Sequence, residues 1–202
     1  MSFILHEREG ILWGLWIFWV GFWIASALWT AGVRRRPVVR RSPPVSRLAE
    51  IAIAIPIVLV AEAPWTWLQT PLLPRAFAIP GLILTATGMG FSFWARIALN
   101  QNWSGVAVIR SGHELVREGP YRFVRHPIYG SMLLALAGSV LTLGAPIQGL
   151  VIGGLILAVF WIKIRSEQKL LEATFGESYH RFRREIPALI PRLRVRRPGR
   201  NA

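Results

Sequence analysis

The sequence predicts an all-α integral membrane protein with five transmembrane helices, its N-terminus outside and its C-terminus in the cytoplasm. Three observations predict this. Of 202 residues, 53% are hydrophobic and only 17% charged. Apolar stretches long enough to cross ~30 Å of hydrocarbon recur along the chain. And 21 of the 24 Lys and Arg residues fall into three segments, 32–47, 100–125 and 163–202.

The spans follow in order. Residues 11–31 hold 21 positions without a charge. A secretory signal would have an apolar core of about 7–15 residues behind a basic start; this stretch is longer and follows "HEREG", so it reads as a span. Residues 48–68 form a second, with Glu50 and Glu62 near its ends and Pro56 in its middle. Residues 78–99 form a third, rich in Gly and Thr, with Arg96 inside it. Residues 128–145 and 147–162 are shorter, and with only "GAPIQG" around their junction they read as a tight hairpin. Five alternating spans put all three arginine-rich segments on one side, which the positive-inside rule makes the cytoplasm. The chain is then one domain, 1–202: two N-terminal spans over 1–68 and a core over 78–191, with the hairpin at about 128–163 and an amphipathic tail.

The formal charge of +14 would suggest nucleic acid in a soluble protein. Here basic residues flank apolar spans, so membrane lipids are the partner and nucleic acid is not. With no Cys, disulfides and thiolate chemistry are excluded. No metal is expected: His113, His126, His180 and several Glu show no ligand spacing such as HExxH. "NWS" at 102–104 matches a glycosylation acceptor, but on the cytoplasmic side it reads as a chance match.

Four tryptophans, Trp13, Trp16, Trp19 and Trp23, share one face of the first span and read as lipid contact or helix packing. "GLVIG" at 149–153 is a small-xxx-small pattern, assigned to close helix approach. The segment "EGPYRFVRHPIYG" at 118–130 asks for more. Gly119 and Pro120 break the chain, and Pro127 suits the first position of the helix of span four. That places helix N-terminal amides beside Arg125 and His126, an anion site in the making; the same residues would also serve as interfacial anchors. After span five comes "KIRSEQKLLEATFGESYHRF". If the helix continues, Lys163 and Glu167 share a face and Arg165 lies opposite. Gly176 then stops it, and 177–190 reads as an amphipathic helix on the membrane, with Tyr179, Phe182 and Ile186 on its apolar side. There is no P-loop or dinucleotide fingerprint.

Together, "GHELVREGPYRFVRHPIY" and, beyond the hairpin, "RSEQKLLEATFGESYHRF" resemble the isoprenylcysteine carboxyl methyltransferases and their relatives, the membrane phospholipid methyltransferases. The likeness covers about residues 95–191, with two separated motifs in order around a two-span hairpin. It implies an integral membrane enzyme that binds S-adenosyl-L-methionine without a Rossmann domain, in a cofactor pocket facing the cytoplasm. By motif position His113, Glu114, Leu115, Val116, Tyr121, His126, Pro127, Ile128, Tyr129 and Glu167 would bind that donor. Lys163, where eukaryotic members carry an Arg, would meet the acceptor carboxylate, with Arg125 adding positive charge. A Lys keeps the charge and loses bidentate geometry. The second Glu of the family's pair is Gln168 here.

The implied reaction is carboxyl O-methylation of an isoprenylcysteine-like acceptor that reaches the site from the bilayer. A carboxylate is already an ionised nucleophile, so no general base is required and none is assigned. Phospholipid N-methylation is the alternative; an amine would need a proton acceptor, His126 or Glu167. A sterol-reductase-like oxidoreductase or a non-catalytic relative would share the C-terminal hairpin, although a reductase would need a nicotinamide cofactor and more spans.

Overall fold

The computed structural model describes residues 2–33, 37–41, 70–103, 108–112 and 114–191. The second predicted span, 48–68, lies outside the described residues. The described chain forms helix α1, Ser2–Val33; strand β1, Val38–Arg41; helix α2, Ala78–Leu99; strand β2, Val108–Arg110; and helices α3, Pro127–Leu143, α4, Pro146–Phe175, and α5, Glu177–Glu185. Three helical stretches, Glu7–Ala31, Arg75–Asn102 and Pro146–Phe175, are long and apolar enough to cross a membrane; Pro127–Leu143 is apolar but shorter.

Helix limits follow from local chemistry. α1 begins before the apolar stretch, because Leu5, Glu7, Arg8 and Glu9 are good helix formers and only Gly10 weakens the run. α2 has the expected bounds and ends at Asn100, whose positive φ of 45° breaks the helical path. α3 starts on Pro127, where the missing amide proton costs nothing. Gly144, at φ 74°, ends it, and the hairpin turns on Gly144 and Ala145 alone. α4 continues past the apolar stretch of 147–162 and runs 30 residues to Phe175, since no Gly or Pro interrupts "KIRSEQKLLEATF" before Gly176, the expected stop. Lys163 and Glu167 therefore lie on one continuous helix.

α2 and α3 pack almost backbone to backbone. A Cβ on Gly81 would lie 2.6 Å from the Gly138 carbonyl oxygen, and one on Gly88 would lie 2.6 Å from the Ala135 nitrogen. The buried Thr85 hydroxyl donates to the Gly81 carbonyl at 3.0 Å and lies 3.3 Å from that of Ala135. Small residues permit such approach where lipid offers no hydrophobic drive between helices. In "GLVIG" only Gly149 matches its expected packing role, its position abutting the Val140 side chain; Gly153 faces open space. α1 is fixed to this pair by indole hydrogen bonds: Trp16 Nε1 donates to Ser139 Oγ at 3.1 Å and Trp19 Nε1 to Ser92 Oγ at 2.8 Å. Phe22 meets Phe93 with centroids 4.3 Å apart.

One feature departs from an all-α chain. β1 and β2 form a short antiparallel ribbon, with Val38 opposite Arg110 and Arg41 opposite Val108. It joins two of the arginine-rich segments. Arg40 also donates to the Ala173 carbonyl of α4 at 2.6 Å. Parts of all three segments thus meet at one end of the bundle, where α1, α2 and α4 finish and α3 begins.

Candidate functional site

A cavity of about 390 Å³ occupies that end, a volume in the range of small-molecule sites. α1 lines it with Trp19 and Trp23, and the segment after α2 with Asn102 and Trp103. Of the residues singled out from sequence, Glu114, Leu115, Val116, Tyr121, Arg125, His126, Ile128, Tyr129, Lys163 and Glu167 line it. Pro127 is buried as the first residue of α3 and sets that helix's start instead. His113 lies outside the described residues.

Three side chains from the two separated motifs meet in the wall. The Tyr129 hydroxyl donates to Glu167 Oε1 at 2.5 Å. His126 Nδ1 lies 3.4 Å from Glu167 Oε2. His126 precedes α3 and Tyr129 is in its first turn, while Glu167 sits on the extended half of α4. The rings stack: His126 on Tyr129 at 5.8 Å, and Tyr129 on Phe160 at 4.7 Å. His126 is 6% exposed, and its Nε2 is buried without a hydrogen-bond partner among the described residues. Arg165 lies on the other face of α4, with its guanidinium 4.8 Å from the Trp161 ring.

Tyr121 is buried beside this cluster. Burial first, and the negative charge of Glu167 second, hold its phenol well above the ordinary tyrosine value, against a smaller opposing effect of Arg96. It stays a neutral hydroxyl across the physiological range. Arg96 itself, 2% exposed in α2, lies 4.5 Å from the Trp103 ring centre and donates to the Ser26 carbonyl at 3.2 Å.

The tail departs from expectation. α5 does not turn its apolar side to the membrane: Tyr179 and Phe182 are 1% and 3% exposed and line the cavity. Arg125 ties the tail down, donating from Nε to the Ile186 carbonyl at 3.0 Å and from its guanidinium to the Tyr179 hydroxyl at 3.3 Å. Burial raises the Tyr179 phenol, and the Arg125 hydrogen bond partly opposes it. The backbone amides of Arg125 and His126 donate to the Pro187 and Ala188 carbonyls, each at 2.9 Å. The two amides just before α3 are therefore spent on the tail, and Arg125 acts as a latch as well as a lining cation. Arg117 braces the same helix, donating to the Ser178 carbonyl at 3.0 Å and to Glu185 at 3.3 Å.

The lining residues that sequence reading assigned elsewhere are Trp19, Trp23, Asn102, Trp103, Tyr179 and Phe182. The tryptophan spacing was the available signal for α1; lipid and packing account for Trp13 and Trp16, but not for their neighbours' place in the cavity. For the tail, the apolar face is correctly read and its environment is not.

The model of the isoprenylcysteine carboxyl methyltransferase (ICMT) family matches residues 81–173. Protein-S-isoprenylcysteine O-methyltransferase of Schizosaccharomyces pombe is 29% identical over 99 residues, 48% of this chain and 42% of that protein. Nickel-cobalt-cadmium resistance protein NccN of Alcaligenes xylosoxydans xylosoxydans is 27% identical over 174 residues, 78% of this chain and 73% of its own. Among solved structures, the eukaryotic intramembrane Ras methyltransferase ICMT superposes with a TM-score of 0.52 at 21% identity, over 76% of this chain and 54% of that one. The chain thus spans about half the length of that structure and less than half of the S. pombe protein. Over residues 81–173 the sequence is thus similar to the isoprenylcysteine carboxyl methyltransferase family, and the fold is like that of the solved intramembrane methyltransferase.

Proposed function

We propose that the protein is a membrane S-adenosyl-L-methionine-dependent methyltransferase that methylates the carboxylate of an isoprenylcysteine-like, lipid-tailed acceptor, with its site facing the cytoplasm. The observation that carries this reading is the meeting of His126, Tyr129 and Glu167, from two motifs separated by a helical hairpin, in the wall of one cavity. The residues suit the donor. Glu167 offers a carboxylate to an ammonium or a ribose, Tyr121 and Tyr129 offer hydroxyls, His126 keeps a buried nitrogen without a partner among the described residues, and Leu115, Val116, Leu170 and Leu171 offer apolar walls. His113 is included in the donor site by motif position.

When bound, S-adenosyl-L-methionine supplies an electrophilic methyl group on a sulfonium. The chain's own task is then to position, desolvate and balance charge. Tyr129 and His126 hold the Glu167 carboxylate in one orientation. Lys163, one turn before Glu167, sets a cation toward the acceptor carboxylate and offsets part of its desolvation. Tyr179 and Phe182 cover the cavity from the tail and exclude water. No proton has to leave the acceptor, so none of these residues needs to act as a base. A phospholipid amine would bring a cation toward Lys163 and Arg125, and like charges at low dielectric repel strongly. That supports the carboxylate.

The domain reading stands with this proposal: two N-terminal spans precede a catalytic core over about 78–191, and the arginine-rich end of the bundle lies in the cytoplasm. The test is transfer from labelled S-adenosyl-L-methionine to S-farnesylcysteine in membranes containing the protein. The expected product is a methyl ester, which mild alkali cleaves to volatile methanol. Label that resists alkali and migrates with phosphatidylethanolamine derivatives would overturn the assignment in favour of N-methylation.

A further inference from the structure

We propose that Trp19 and Trp23 of α1 form the wall that holds the acceptor's apolar tail and selects its length, the tail being a prenyl chain; this rests on the reading of a prenylated acceptor above. The cavity is chemically two-sided. Its charged lining groups, Glu114, Arg125, His126, Lys163 and Glu167, all come from the segment before α3, the start of α3 and α4. α1 contributes two indoles and no charge. A ligand that is polar at one end and apolar at the other matches this division in only one sense.

Both indoles are held firmly enough to act as a ruler. Trp19 is fixed by its hydrogen bond to Ser92. The Trp23 ring lies 5.6 Å from Trp19 and 5.3 Å from Trp103. Trp103 is in turn held against Arg96, whose guanidinium also grips α1 at the Ser26 carbonyl. The opposite face of α1 is turned outward, with Ile17, Ile24 and Leu28 exposed, so that in a membrane it meets lipid. The two tryptophans therefore stand between the charged groups and the bilayer. A prenyl tail leaving the carboxylate at Lys163 passes along them. α1 also lies outside residues 81–173, so this wall belongs to the part of the chain that the family pattern does not fix.

The test measures kcat/KM for S-farnesylcysteine and S-geranylgeranylcysteine in wild type, Trp19→Ala, Trp23→Ala and the milder Trp19→Phe and Trp23→Phe, together with donor affinity by calorimetry. Removing an indole lengthens the apolar compartment, so the geranylgeranyl-to-farnesyl ratio rises about tenfold in the alanine variants. It rises less, in the same direction, in the phenylalanine variants, which keep a ring and guard against misfolding. Donor affinity stays within about twofold of wild type. An unchanged ratio in variants that still melt cooperatively overturns the inference, as does a loss of donor affinity equal to the change in acceptor kinetics. If the wild type binds donor but methylates neither acceptor, the reading of a prenylated substrate falls, and this inference with it.

Discussion

Glu167 is the residue on which the site turns. One carboxylate receives the Tyr129 hydroxyl and faces His126, which fixes its rotamer and points the group into the cavity. Losing a charged, desolvated contact costs about 1.5–3 kcal/mol, so Glu167→Ala should weaken donor binding roughly 10–150-fold. Lys163→Glu should raise the acceptor KM or abolish turnover while donor binding persists; steady-state kinetics on S-farnesylcysteine decide this, and unchanged values would reduce Lys163 to a neighbour of Glu167. Tyr121 makes a pH prediction. Its phenol is raised in the fold, so the folded state holds the proton more tightly than the unfolded chain. That contribution is complete below the unfolded value of about 10 and is lost as pH rises through the folded value. Thermal melts should therefore lose stability on the alkaline side of about pH 10, less steeply in Tyr121→Phe. At this scale much was legible: ten of the twelve residues picked from the motifs line the cavity. What was not legible is who holds whom. The motif gives Arg125 as a free cation, but its guanidinium reaches the tail, and that depends on how α5 folds back, which no local pattern encodes.

At the scale of elements, α2 and α3 carry the core through near backbone contact. Gly88→Ala would press a methyl into the Ala135 backbone. Backbone cannot yield as a side chain can, so the loss should be about 1–3 kcal/mol, seen as a lower melting temperature in detergent. Gly153→Ala, facing open space, should be neutral or stabilising by up to about 1 kcal/mol through helix propensity alone. Equal effects would contradict the packing described. The two positions look alike in sequence, each a glycine within an apolar stretch, and only the neighbour distinguishes them. The far end of α4 was legible for a different reason: Gly176 is the first helix breaker after Pro146 in the downstream half, where polarity marks the membrane's edge and not the helix's. The tail helix shows the converse. Its apolar stripe is real, but periodicity cannot say whether lipid or a cavity receives Tyr179 and Phe182.

For the whole molecule, the described parts of the arginine-rich segments meet at one end, and charge asymmetry argues that this end is cytoplasmic. With no native Cys, single cysteines can be labelled without background. An impermeant reagent on intact cells should label Leu73→Cys and spare Arg36→Cys and Arg197→Cys; the opposite pattern would invert the topology. The placement of the donor site tests the account most directly, because it requires two motifs far apart in the chain to act as one. The measurement is calorimetric titration of S-adenosyl-L-methionine into detergent-purified wild type, His126→Ala, Glu167→Ala and Arg165→Ala. The account predicts roughly 10–150-fold weaker binding in the first two variants and near wild-type affinity in Arg165→Ala, on the opposite face of α4. Wild-type affinity in both His126→Ala and Glu167→Ala would contradict it.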